Sequence, residues 1–242
     1  MRQLPKRPKL PAPLTARLVA ETRKITHSAT PKDEAEKTYA AARTAAWFQP
    51  VLQQLAKLAG VGERCMYCSG SESSDVEHYL PKSTFPGHAM TWQNYLWICT
   101  PCNRSKSNQF PTEPDGSALL INPLDENVWQ YFYIDEFGNL SPKWDTALDD
   151  FCVKGNKTAE AIGLDRQALQ EARRSRMDDL KEKVADTLKL LKAGDLTVAA
   201  ANKRIRTWRT QPFQPDVADY FLNGPGKTEK PFASLFRLLK HK

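Results

Sequence analysis

The stretch CMYCSGSESSDVEHYLPKSTFPGHAMTWQNYLWICTPCNRSK, residues 65–106, opens on one Cys-x-x-Cys pair and closes just past a second. Each pair turns two sulfurs to one side of a tight knuckle. Cys65, Cys68, Cys99 and Cys102 therefore offer the four thiolates of a tetrahedral structural zinc site. An ordinary zinc ribbon separates its pairs by roughly 15–20 residues. Here residues 69–98 lie between them, so the knuckles hold an inserted structure. Asp75 to Leu80 reads as a short strand that stops at Pro81, and Tyr95 to Cys99 as a second strand leading back to the metal. Directly after Cys102, the run from Asn103 to Lys106 begins a helix. The spacing predicts that zinc clamps strand to helix and that Glu77 and His78 come opposite Asn103.

Composition bounds what surrounds this unit. Of 242 residues, 40% are hydrophobic and 26% charged, ordinary globular values that argue against wholesale disorder. No apolar run approaches the roughly 18 residues of a membrane span, and no apolar stretch follows the basic start MRQLPKRPKLPAP to make a secretory signal. Four of five cysteines fall in the two pairs, which fits metal binding in a reducing compartment better than disulfides. Cys152 is left over and is expected to be a buried thiol. Charge is uneven. Residues 1–30 hold seven Lys/Arg against one Glu, and residues 113–150 hold one Lys against nine Asp/Glu. The basic ends suit a polyanion, while solvated basic termini explain the same numbers.

Outward from the cysteines, four regions are expected. Residues 1–60 form a basic Pro-rich arm (1–13) and a helical lead-in, with Thr15 capping a first helix and Thr30-Pro31 opening a second. Pro50 should kink or divide that second helix, and Gly60 should end it. Residues 61–112 are the core. Residues 113–150 are an acidic segment with a hairpin turning at Phe137-Gly138-Asn139. Residues 151–242 are a helical region, in which Met177, Leu180, Val184, Leu188 and Leu191 mark the inward stripe of one long helix ending at Gly194. Lys203, Arg204, Arg206 and Arg209 line the opposite side of a following helix. The fold class is α+β.

The run CMYC…DVEHYLPKS…WQNYLWICTPCNRSK resembles the zinc-stabilised His-Asn-His (HNH) endonucleases, whose core is the ββα-metal fold. In that family an acidic residue and a His end the first strand, an Asn precedes the second, and an Asn or His opens the helix. The resemblance places these on Glu77-His78, Asn94 and Asn103. It implies hydrolysis of DNA phosphodiester bonds with His78 activating water, as a neutral imidazole can. Glu77 and Asn103 are implied to hold a catalytic Mg²⁺ or Mn²⁺, an ion that favours oxygen ligands, and Asn94 to pin the loop that aims His78. Lys82, Arg104 and Lys106 are the implied DNA contacts. His88 is expected in a surface loop, Asp75 at the surface, and Trp92, Tyr95 and Trp97 in the core.

The flanks resemble, more weakly, the PtuB-like nuclease subunits of Septu-type antiphage systems, with Asn122 standing where such proteins often carry Asp. That resemblance implies a cytoplasmic protein working with a PtuA-like ATPase partner. The arm 1–13, the acidic segment and the apolar tail 232–239 are the expected contact surfaces. The alternative is a zinc-stabilised nucleic-acid-binding or adaptor protein without turnover. A guided or modification-specific nuclease is a third reading.

Overall fold

The computed structural model describes residues 1–70, 72–73 and 75–240. Helices α1 (Ala12–Thr26), α2 (Pro31–Thr44) and α3 (Gln49–Leu58) lead to the cysteine segment. There β1 (Asp75–His78) pairs antiparallel with β2 (Tyr95–Ile98), and α4 (Thr100–Lys106) follows directly. Two more hairpins come next, β3 (Phe132–Ile134) with β4 (Leu140–Pro142), and β5 (Trp144–Asp145) with β6 (Asp150–Phe151). Helices α5 (Val153–Ile162), α6 (Gln167–Ala193), α7 (Val198–Arg209), α8 (Pro215–Leu222) and α9 (Phe232–Lys240) follow. The fold is α+β: a small ββα unit set among helices.

Local chemistry accounts for the element boundaries, including three that differ from the sequence reading. Helix α1 starts at Ala12, three residues before Thr15, with Pro13 in its first turn. The second and third helices separate at Ala45, not at Pro50, because Pro50 falls in the first turn of α3. Its missing N–H would have no intrahelical partner there in any case. Gly163, in the left-handed region at φ 64°, splits the long C-terminal pattern into α5 and α6. In the β3–β4 turn, the Asp135 carboxylate accepts from the N–H groups of Phe137 and Asn139. At Gly138 (φ 86°) a Cβ would lie 2.5 Å from the Gln170 carbonyl oxygen, so the turn packs on α6 with glycine's clearance only.

The basic arm is part of the core. Met1, Leu4 and Leu10 are buried. Arg2 donates to the Ala59 carbonyl, and Arg7 donates to the carbonyls of Trp92 (2.9 Å) and Tyr95 (2.8 Å). Trp92 returns a bond from Nε1 to the Pro8 carbonyl. The Met1 ammonium and Arg173 of α6 converge on Asp216 Oδ2 at 3.2 and 2.9 Å, all three buried. The tail is also docked, with Phe232 and Leu235 buried and Phe232 stacked on Phe221. Cys152 is half-buried rather than buried. On the cationic side of α7, Arg204 pairs with Asp186 and Arg209 donates to the Leu222 carbonyl, while Lys203 and Arg206 are exposed. No helix among the described residues is long and apolar enough to cross a membrane.

Candidate active site

The four cysteines are buried, and their sulfurs lie within 4.8 Å of one another. Cys68 Sγ and Cys99 Sγ are 3.7 Å apart. A tetrahedron with metal–sulfur bonds of about 2.3 Å has edges of about 3.8 Å, so the cluster has the dimensions of a zinc site. Its surroundings also favour thiolates. Gly70 N–H donates to Cys68 Sγ at 3.4 Å and Arg166 Nη2 to Cys102 Sγ at 3.2 Å. Burial pushes the Cys65 thiol well up, so a cation is what would favour its thiolate here. Arg173 donates to the Cys68 carbonyl, which ties α6 to the first knuckle.

The clamp sets the register of what lies between. Met66 N–H donates to the Trp97 carbonyl, joining the first knuckle to β2. In the β1–β2 ladder, Glu77 stands opposite Leu96 and His78 opposite Tyr95. Strand alternation puts Asp75 and Glu77 on one face, and α4 covers that face. Thr100 Oγ1 donates to Asp75 at 3.1 Å, and Lys106 Nζ donates to Glu77 Oε1 at 2.5 Å. Asn103 lies midway between those two α4 residues, three positions from each, so it shares their face toward Glu77. It is half-buried.

His78 points the other way. It is only 6% exposed, and its Nε2 lies 2.9 Å from the Ala89 carbonyl. A carbonyl only accepts, so Nε2 carries the proton and Nδ1 keeps its lone pair. The rings of Tyr39 and Tyr95 meet the imidazole edge-on at 4.5 and 5.3 Å. Burial holds its pKa down to about 3, against a smaller upward pull from the Ala89 bond. The imidazole is neutral throughout the physiological range.

Asn94 closes the loop between the strands. Its side-chain oxygen accepts from Leu80 N–H at 2.7 Å, and its amide donates to the Leu80 and His88 carbonyls at 3.0 Å each. Ala89, which orients His78, follows directly on His88. The His88 ring itself is exposed.

The three expected DNA contacts separate. Arg104 is exposed on α4. Lys82 is 27% exposed and pairs with Glu36 of α2 at 3.1 Å. Lys106 is fully buried, with its ammonium on Glu77 and, at 3.0 Å, on the His78 carbonyl. This corrects the expectation for Lys106: a side chain with no solvent contact does not meet a phosphate arriving from outside. Burial pushes the Glu77 carboxyl up and the Lys106 ammonium down, and each is drawn back by the other. Tyr39 and Arg43 of α2 were not foreseen. No local pattern marks a helix some 35 residues upstream as the wall of this site.

The paired strands, the helix they pack on and the cysteine clamp coincide with a segment that similarity to known proteins also marks. Residues 65–109 match the family model of the HNH endonucleases. That segment is similar to an HNH domain. Two curated relatives, both named Septu protein PtuB, are similar beyond it. The one from Bacillus mycoides is 28% identical over 162 residues, 53% of this chain and 53% of its own length. The one from Bacillus thuringiensis is 28% identical over 125 residues, 50% of this chain and 43% of its own length. The match therefore spans about half of each relative. It supports an HNH nuclease resembling PtuB.

Proposed function

We propose that this protein is a metal-dependent HNH endonuclease that hydrolyses DNA phosphodiester bonds, acting in the cytoplasm as the nuclease of an antiphage complex with an ATPase partner. The observation that carries the reading is the His78 imidazole, fixed in its tautomer by the Ala89 carbonyl within the segment similar to the HNH endonucleases. A base must accept a proton at a defined atom, and Nδ1 is that atom here. Asn94 holds the carbonyl-bearing loop and so the ring's direction.

The donor set suits a hard cation. Glu77 has a carboxylate oxygen besides the one that Lys106 occupies, and Asn103 lies on α4 between Thr100 and Lys106, whose side chains reach β1. Glu77 and Asn103 would hold Mg²⁺ or Mn²⁺, keeping several of the ion's waters. When bound, such an ion stabilises charge on the scissile phosphate and the leaving oxygen. Lys106 keeps the buried Glu77 ionised and oriented, while Arg104 and Lys82 lie where a phosphate can reach them.

For the partner, two of the three expected surfaces are used internally, because the arm and the tail are packed. The acidic segment is different. Trp144, Leu148 and Phe151 stay exposed on the β5–β6 hairpin, among Asp145, Asp149 and Asp150. An apolar patch with an acidic rim selects a protein with an apolar, basic surface and repels nucleic acid.

Plasmid nicking with Mg²⁺ or Mn²⁺, alone and with the ATPase, tests the activity. His78→Ala should keep fold, zinc and DNA binding and lose cleavage by about 10²-fold or more. Full cleavage by that variant would overturn the mechanism and leave the binding-module reading.

A further inference from the structure

We infer that Arg43, on α2 and outside the HNH segment, is a substrate-phosphate clamp that works with Lys82 to hold one DNA strand across Glu77 and His78. This rests on the nuclease reading above and adds a residue that the motif does not contain.

The two cations flank the site along β1. Arg43 Nη2 lies 3.1 Å from Asp75 Oδ1, at the start of the strand. Lys82 comes four residues after His78, at the other end, and its ammonium sits 5.9 Å from the centre of the Tyr39 ring. From Asp75 to His78 the strand rises about 10 Å. A DNA strand lying along β1 would bring more than one phosphate within reach of cations placed at its two ends.

Each pair keeps one open side: Arg43 is 56% exposed beside Asp75 at 20%, and Lys82 is 27% exposed beside Glu36 at 52%. A partly exposed ion pair contributes little, so a phosphate can take the place of the carboxylate. A guanidinium also grips phosphate through two parallel N–H bonds. Asp75 is not stranded by the exchange, because it retains the Thr100 hydroxyl at 3.1 Å. Asp75 and Glu36 are the carboxylates that phosphate would displace, while Glu77 stays matched by Lys106.

A purely structural role for Arg43 would be to strap α2 onto β1 through Asp75, and the two roles predict different outcomes. Binding of a short fluorescent DNA duplex is measured across salt concentrations in the His78→Ala background, without added Mg²⁺ or Mn²⁺. Zinc content and melting temperature serve as controls for folding. Arg43→Ala should weaken binding about tenfold at low salt and reduce the slope of log K against log salt by about 0.9, as for one lost phosphate contact. Arg43→Lys should restore the slope. Asp75→Ala, which removes the competing carboxylate, should leave binding unchanged or tighter. An unchanged slope in Arg43→Ala, or equal weakening in Asp75→Ala and Arg43→Ala, overturns the clamp while leaving the nuclease assignment intact. Absence of DNA binding in the Arg43-intact protein overturns the nuclease reading and the clamp with it.

Discussion

Lys106 has no contact with solvent, and its ammonium is committed to Glu77 Oε1 at 2.5 Å and the His78 carbonyl at 3.0 Å. A charge pair this deep is held by geometry, and removing one partner leaves the other uncompensated. Lys106→Met should therefore destabilise the protein by about 3–5 kcal/mol in urea denaturation. The Lys106→Met/Glu77→Gln double variant should recover much of that loss, since neither residue then carries a buried charge. Equal loss in both would mean that packing, not charge, sets the cost. From sequence, Lys106 and Arg104 are equivalent cations after Asn103. Two residues of helix phase, about 200°, separate a buried counter-ion from a surface charge.

The ββα unit is too small to hold its shape by apolar burial alone. β1 and β2 have four residues each and α4 has seven. Isolated elements of that length are marginal in water. The cysteine clamp supplies what the core lacks, because structural zinc binding contributes directly to folding. Cys99→Ser should remove the zinc, with elemental analysis falling from about one equivalent to near zero. Far-UV circular dichroism should show loss of structure, and a strong chelator should do the same to the wild type. A metal-free protein with unchanged structure would show that packing of α5 and α6 holds the unit instead.

Across the whole molecule, the two ends of the chain close around the domain. The arm buries Met1, Leu4 and Leu10, and each such side chain contributes about 1.5–3 kcal/mol. Deleting residues 1–11 should thus lower the melting temperature by more than about 5 °C, at about 2–4 °C per kcal/mol for a chain of this size. A change in partner affinity at unchanged stability would return the arm to the interface. Partner contact should instead follow the hairpin: Trp144→Ser with Phe151→Ser should weaken co-purification with the ATPase partner at unchanged melting temperature. Undiminished co-purification would remove the hairpin from the contact.

Spacing by itself determined the cysteine clamp and the order strand–strand–helix, while the set Glu77, His78, Asn94 and Asn103 came from the resemblance to the HNH endonucleases. The clamp and the order depend on intervals along the chain, and a knuckle, a two-residue alternation and a helical turn each leave a local trace. The Gly138 turn, the α6 stripe and Gly194 were legible for the same reason. Only the tertiary structure decided where each cation goes. Lys106 turns inward to Glu77, Arg43 reaches Asp75 from α2, and Arg173 joins the Met1 ammonium on Asp216. It also placed the basic arm in the core, because Arg2 and Arg7 find backbone carbonyls that only the folded chain brings to them. A charged side chain has no periodicity of its own. Its partner is set by which distant elements pack together, and that depends on the burial of the whole chain rather than on its neighbours in sequence.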